Sequence, residues 1–72
     1  MSTKYKYAQF IKVIRKERGF SQSFMAERLG LSRPSYVSVE QGKRDLTLGE
    51  FEKLSSVLDV SFEELESGET PN

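Results

Sequence analysis

The chain of 72 residues contains no cysteine and no histidine. Those two absences exclude disulfides, zinc fingers, thiol nucleophiles and any Ser-His-Asp triad. The lack of cysteine also suits a reducing compartment. Long apolar runs are missing as well, and none approaches the roughly 20 residues that a bilayer-spanning helix needs. The opening MSTKYKYAQF has no apolar core of the kind a signal peptide carries. A cytoplasmic protein with no membrane partner is therefore expected. No stretch reads as a strand, a repeat or an inter-domain linker. A chain this short forms one domain, and a core of that size supplies only about 3–5 kcal/mol, so close helix packing or dimerisation is expected to help.

Net charge is absent only in the sum. Residues 1–44 hold ten Lys or Arg against three Glu, a net of +7, while residues 45–72 hold one Lys against eight Asp or Glu, a net of −7. A basic half of this kind suits a polyanionic partner. In the acidic half, Glu63, Glu64, Glu66 and Glu69 follow no calcium-loop order and have no His or Cys beside them. No metal, no cofactor and no enzymatic constellation is predicted.

What the chain does contain is helical punctuation. Tyr7, Ile11 and Ile14 recur at i, i+4, i+7, predicting a first helix over 7–18 that Gly19 ends, with Phe20 packing back as an apolar plug. In SQSFMAERLGLSRPSYVSVEQG, residues 21–42, Ser21 caps a second helix over 22–29, with Met25, Ala26 and Leu29 as its apolar stripe. Gly30 stops it. Ser32 caps a third helix over 33–41, with Pro34 in the first turn, where a missing N–H does no harm. Tyr36 and Val39 point inward on that helix, leaving Arg33, Ser35, Val37, Ser38 and Gln41 outward. Thr47–Glu50 and Ser61–Glu64 read as capping boxes opening a fourth helix over 48–58 and a short fifth. The fold class is all-α, a compact five-helix bundle with its domain at 7–66 and flexible ends at 1–6 and 67–72.

The stretch 21–42 resembles the Cro and phage-repressor class of helix-turn-helix domains, also called the XRE class. The resemblance rests on Gln22, Ala26, Gly30, Ser32, Val39, Glu40 and Gly42, with Met25 where leucine is usual, and extends from Arg15 and Gly19 to about Leu65. It implies a lambda-repressor-like domain that reads double-stranded DNA with its third helix in the major groove. By position, Arg33, Pro34, Val37 and Ser38 would face base edges. Arg33 is the most informative of these, since a guanidinium can bond guanine O6 and N7 together. Gln22 would touch a phosphate and brace the start of the third helix, and Arg15 would pair with Glu40 across helices.

Ser35, Tyr36, Lys43 and Arg44 are further phosphate candidates. One recognition helix reads few base pairs, so a homodimer on a near-palindromic operator is expected. Its surface is predicted at Leu46, Leu48, Val57, Val60 and Phe62, where the apolar groups exceed what one side can bury. The alternative function is a protein-interaction module, gripping a protein partner through an exposed Phe24 or the acidic C-terminal half.

Overall fold

Serine and threonine caps set where the helices begin. The computed structural model describes residues 7–67, apart from the side chains of Phe62, Glu66 and Ser67. Five helices follow in order: α1 (Tyr7–Arg18), α2 (Gln22–Leu29), α3 (Arg33–Glu40), α4 (Leu48–Leu58) and α5 (Phe62–Ser67). The ends expected to be flexible lie outside the described residues, except Ser67, which closes α5. No strand occurs among the described residues, and none of their helices is long and apolar enough to cross a membrane.

The hydroxyls of Ser21, Ser32 and Thr47 accept the backbone N–H groups of Phe24, Ser35 and Glu50. Each satisfies a donor that a helix start leaves without a partner. Both expected capping boxes form. The Glu50 carboxylate accepts the Thr47 N–H at 3.0 Å, and Glu64 accepts that of Ser61 at 2.8 Å. Gly30 takes φ +74°, which lets α2 end in one residue and turn the chain into α3. α3 itself stops at Glu40, with Gln41 as its C-cap. At the end of α4, Asp59 occupies the left-handed region at φ +57° without being glycine.

The core joins all five helices. Phe10, Ile11 and Ile14 of α1 meet Met25 and Leu29 of α2, Tyr36 and Val39 of α3, Leu54 and Leu58 of α4 and Leu65 of α5. Complete burial of such a side chain contributes about 1.5–3 kcal/mol, which ordering the chain largely offsets. α1 packs on α3, α4 and α5, while α2 packs on α3 and α4. This places α3 on a platform made by α1 and α2. The Tyr7 hydroxyl donates to the Asp45 carboxylate and accepts the Leu46 N–H at 3.1 Å. The start of α1 thereby fixes the loop that follows α3.

Candidate nucleic-acid interface

On α3, Arg33 and Pro34 are exposed, and one turn later Val37 and Ser38 are half-buried. Positions 33 and 37, like 34 and 38, are neighbours on a helix surface. The four residues therefore make one patch, formed by an arginine fork, a ring, a branched methyl pair and a hydroxyl. Ser35 is half-buried, its hydroxyl 3.0 Å from that of Ser32. The Ser38 carbonyl accepts the Lys43 N–H at 2.9 Å, so the turn after α3 folds back and places the exposed Lys43 close to the patch.

Beneath the patch lies a buried polar cluster that fixes α3 to the platform. Arg15 donates Nε to Glu40 Oε2 at 2.5 Å, Nη2 to Oε1 at 3.1 Å and Nη1 to the Phe20 carbonyl at 2.8 Å. Both residues are only 7% exposed, which makes the expected ion pair a buried one. The Tyr36 hydroxyl also donates to Glu40 Oε2, and Gln22 Nε2 donates to Oε1 at 3.2 Å. Burial pushes the Glu40 carboxyl up, but the donors Arg15, Tyr36 and Gln22 outweigh it and hold the group below its ordinary range. The Arg15 guanidinium is raised, chiefly by its hydrogen bond to Glu40. Burial raises the Tyr36 phenol, reinforced by the neighbouring Glu40 anion. Among the described residues no buried side-chain polar atom lacks a partner, the condition under which a buried ion pair is tolerated.

Several expected sites move. Tyr36, a phosphate candidate in sequence, is 0% exposed. Its ring completes the core and its hydroxyl is spent on Glu40, so it cannot reach a phosphate. Arg44 is not a free cation either. Its Nη1 and Nη2 bind Glu50 Oε1 and Oε2 at 3.1 and 3.2 Å, and Nη1 also donates to the Asp45 carbonyl. The Arg44 hydrogen bond is the main cause that lowers the Glu50 carboxyl. This pair ties the loop to α4, joining the Thr47 capping box to the turn after α3.

Gln22, expected at a phosphate, is engaged at both ends of its amide: Nε2 faces Glu40 and Oε1 accepts Arg33 Nη2 at 3.4 Å. Sequence reasoning missed the Tyr36–Glu40 and Arg44–Glu50 pairs. The i, i+4 spacing of Tyr36 and Glu40 on one helix was the available signal.

The dimer set does not form one face. Leu46 is buried in the domain's own core. Leu48, at 66%, is an exposed large apolar residue, whereas Val57 and Val60 are half-buried against the core. Leu48 and Val57 lie nine residues apart on α4, about half a turn around the helix. Val57 instead lines an open groove of about 420 Å³ between α2 and α4 with Glu27, Arg28, Lys53 and Ser56. Phe62 has a side chain outside the described ones. Phe24, expected to be exposed, is half-buried, with its ring 4.7 Å from that of Phe20 and the Arg28 guanidinium 5.8 Å from its centre.

Two short helices joined by a glycine turn, the second seated on a buried ion pair with an outward polar patch, define a helix-turn-helix protein. The chain belongs to the helix-turn-helix family HTH_3, whose model matches residues 11–65. It is 34% identical over 64 residues to the HTH-type transcriptional regulator YqaE of Bacillus subtilis, covering 89% of this chain and 55% of that one. The chain thus spans about half the length of that curated relative. The restriction-modification controller protein C.AhdI of Aeromonas hydrophila superposes with a TM-score of 0.77 at 34% identity, over 86% of this chain and 94% of that one. The biofilm master regulator SinR, solved in complex with DNA, superposes with a TM-score of 0.73 at 38% identity, over 82% of this chain and 95% of that one.

Proposed function

We propose that this protein is a transcriptional regulator that binds double-stranded DNA sequence-specifically, as a homodimer on a near-palindromic operator, with α3 in the major groove. The observation that carries the reading is the outward Arg33–Pro34–Val37–Ser38 patch, exposed at Arg33 and Pro34 and half-buried at Val37 and Ser38, on a helix that Arg15 and Glu40 hold at a fixed angle. The likeness to SinR, a protein solved on DNA, supports it. Arg33 reads guanine, Val37 and Pro34 offer apolar contact to a thymine methyl, and Ser38 adds a weakly discriminating hydrogen bond. Lys43, Ser35 and the N-terminus of α2 beside Gln22 take phosphates, which fix register without reading sequence.

The homodimer forms around Leu48, the exposed apolar side chain at the start of α4. With acidic α4 and α5 turned from the duplex, the basic half faces it, so whole-chain neutrality does not oppose binding. Phe24 is half-buried against Phe20 rather than exposed, which leaves the acidic C-terminal half as the support for the alternative reading, a protein-interaction module.

A salt titration of duplex affinity tests the proposal. The logarithm of the binding constant should fall linearly with that of salt concentration, with a slope steeper than about −3 for a dimer contacting several phosphates. Negligible binding even at low salt would contradict it.

A further inference from the structure

The buried cluster reaches the reading patch through one side chain. Glu40 is a carboxylate, so it only accepts hydrogen bonds, and it has four donors: Arg15 Nε and Nη2, the Tyr36 hydroxyl and Gln22 Nε2. Its acceptor character forces the Gln22 amide to turn its NH2 inward. The amide oxygen must then face outward, and it accepts Arg33 Nη2 at 3.4 Å. That contact is at the long end of the hydrogen-bond range, so it orients the arginine without holding it back from a base. The Gln22 amide orientation therefore depends on where the Glu40 carboxylate stands. Arg15 grips both of its oxygens from α1, and only Tyr36 fixes it from within α3, four residues away on the same helix face.

We infer that Tyr36 is a positioning residue for DNA reading: its buried hydroxyl seats the Glu40 carboxylate so that Gln22 presents its amide oxygen to Arg33. The inference rests on the proposed base contact of Arg33 and adds to it a residue that never touches DNA. A phenylalanine at this position keeps the ring in the core and deletes only the hydroxyl. Glu40 then keeps its two-point pairing with Arg15 but lacks the one donor on its own helix, so the carboxylate can shift with Arg15. Gln22, whose NH2 follows Oε1, no longer holds its amide oxygen at Arg33.

The test compares wild-type, Tyr36→Phe, Arg33→Ala and Gln22→Ala proteins on the duplex that the wild type selects from a randomised pool, and on its single-base variants. An Ile14→Val protein serves as a control for destabilisation alone, since it trims the same core without touching the cluster. Tyr36→Phe should lower discrimination at the Arg33-dependent base by roughly three- to tenfold, the worth of one hydrogen bond. Its salt slope and its preferences elsewhere should stay unchanged, and it should add nothing in the Gln22→Ala background. Unchanged discrimination in Tyr36→Phe, or an equal loss in Ile14→Val, would overturn the inference. If Arg33→Ala itself leaves every base preference intact, it is the base-reading role of Arg33 that fails.

Discussion

Glu40 and Arg15 carry two formal charges into the interior, and each is tolerated because the other is there. Removing one partner strands the survivor, at a cost of about 3–5 kcal/mol, whereas replacing both with apolar residues of similar volume is far milder. Unfolding in urea should therefore show Arg15→Met and Glu40→Leu each strongly destabilised and the double variant closer to wild type. Additive losses would refute the pairing.

The pH dependence has a definite sign. The native Glu40 carboxyl titrates below its ordinary value of 4.5. Its contribution is thus fully present above that value and is lost as pH falls through the lower native one. Stability should hold from neutrality down to about pH 5 and decline below it, following the usual linkage of depressed carboxylates. In Glu40→Gln the acid decline should be shallower, read from denaturation midpoints across the acid range.

At the scale of elements, the helices hold their positions through caps that the chain encodes locally. Thr47→Ala removes the hydroxyl that accepts the Glu50 N–H and should cost about 0.5–2 kcal/mol, seen as a lower Tm. The other end of α4 offers the opposite change. Asp59 bears a left-handed backbone and a negative charge at a helix C-terminus, both unfavourable. Asp59→Gly should raise stability by about 1 kcal/mol, and a lower Tm would show that the side chain has a stabilising role.

Caps of this kind, with apolar stripes at 3.6-residue spacing, made the helix order and the turn between α2 and α3 legible in sequence. The partners of individual polar groups were not legible. Tyr36 reads as a large residue with a hydroxyl to place, and only the inward turn of Glu40 shows where that hydroxyl goes. Arg44 reads as one more cation until the capping carboxylate of Glu50 is seen beside it. Phe24 falls outside the Met25, Ala26 and Leu29 stripe in sequence, and what covers it is Phe20, placed past the end of α1 by the turn at Gly19. The opposed faces of Leu48 and Val57 follow from their spacing alone, nine residues or about half a turn around a helix.

For the whole molecule, the proposed dimer rests on the separation of charge and on Leu48, the one large apolar side chain exposed among the described residues. Leu48→Glu should shift the protein from dimer to monomer in sedimentation velocity while leaving thermal unfolding of the domain nearly unchanged, since the side chain lies outside the core. A dimer that survives the substitution would place the interface elsewhere.

The central claim, that α3 reads bases through Arg33 in a two-fold assembly, is tested most directly by selection. The protein is incubated with a randomised duplex pool at moderate salt, the retained DNA is sequenced, and the experiment is repeated with Arg33→Ala. An enriched palindrome with half-sites about 10 base pairs apart is predicted. The variant should lose preference at one base per half-site, by about 1–3 kcal/mol. Uniform weakening across all sequences would make Arg33 a phosphate contact, and a pool with nothing enriched would contradict the account.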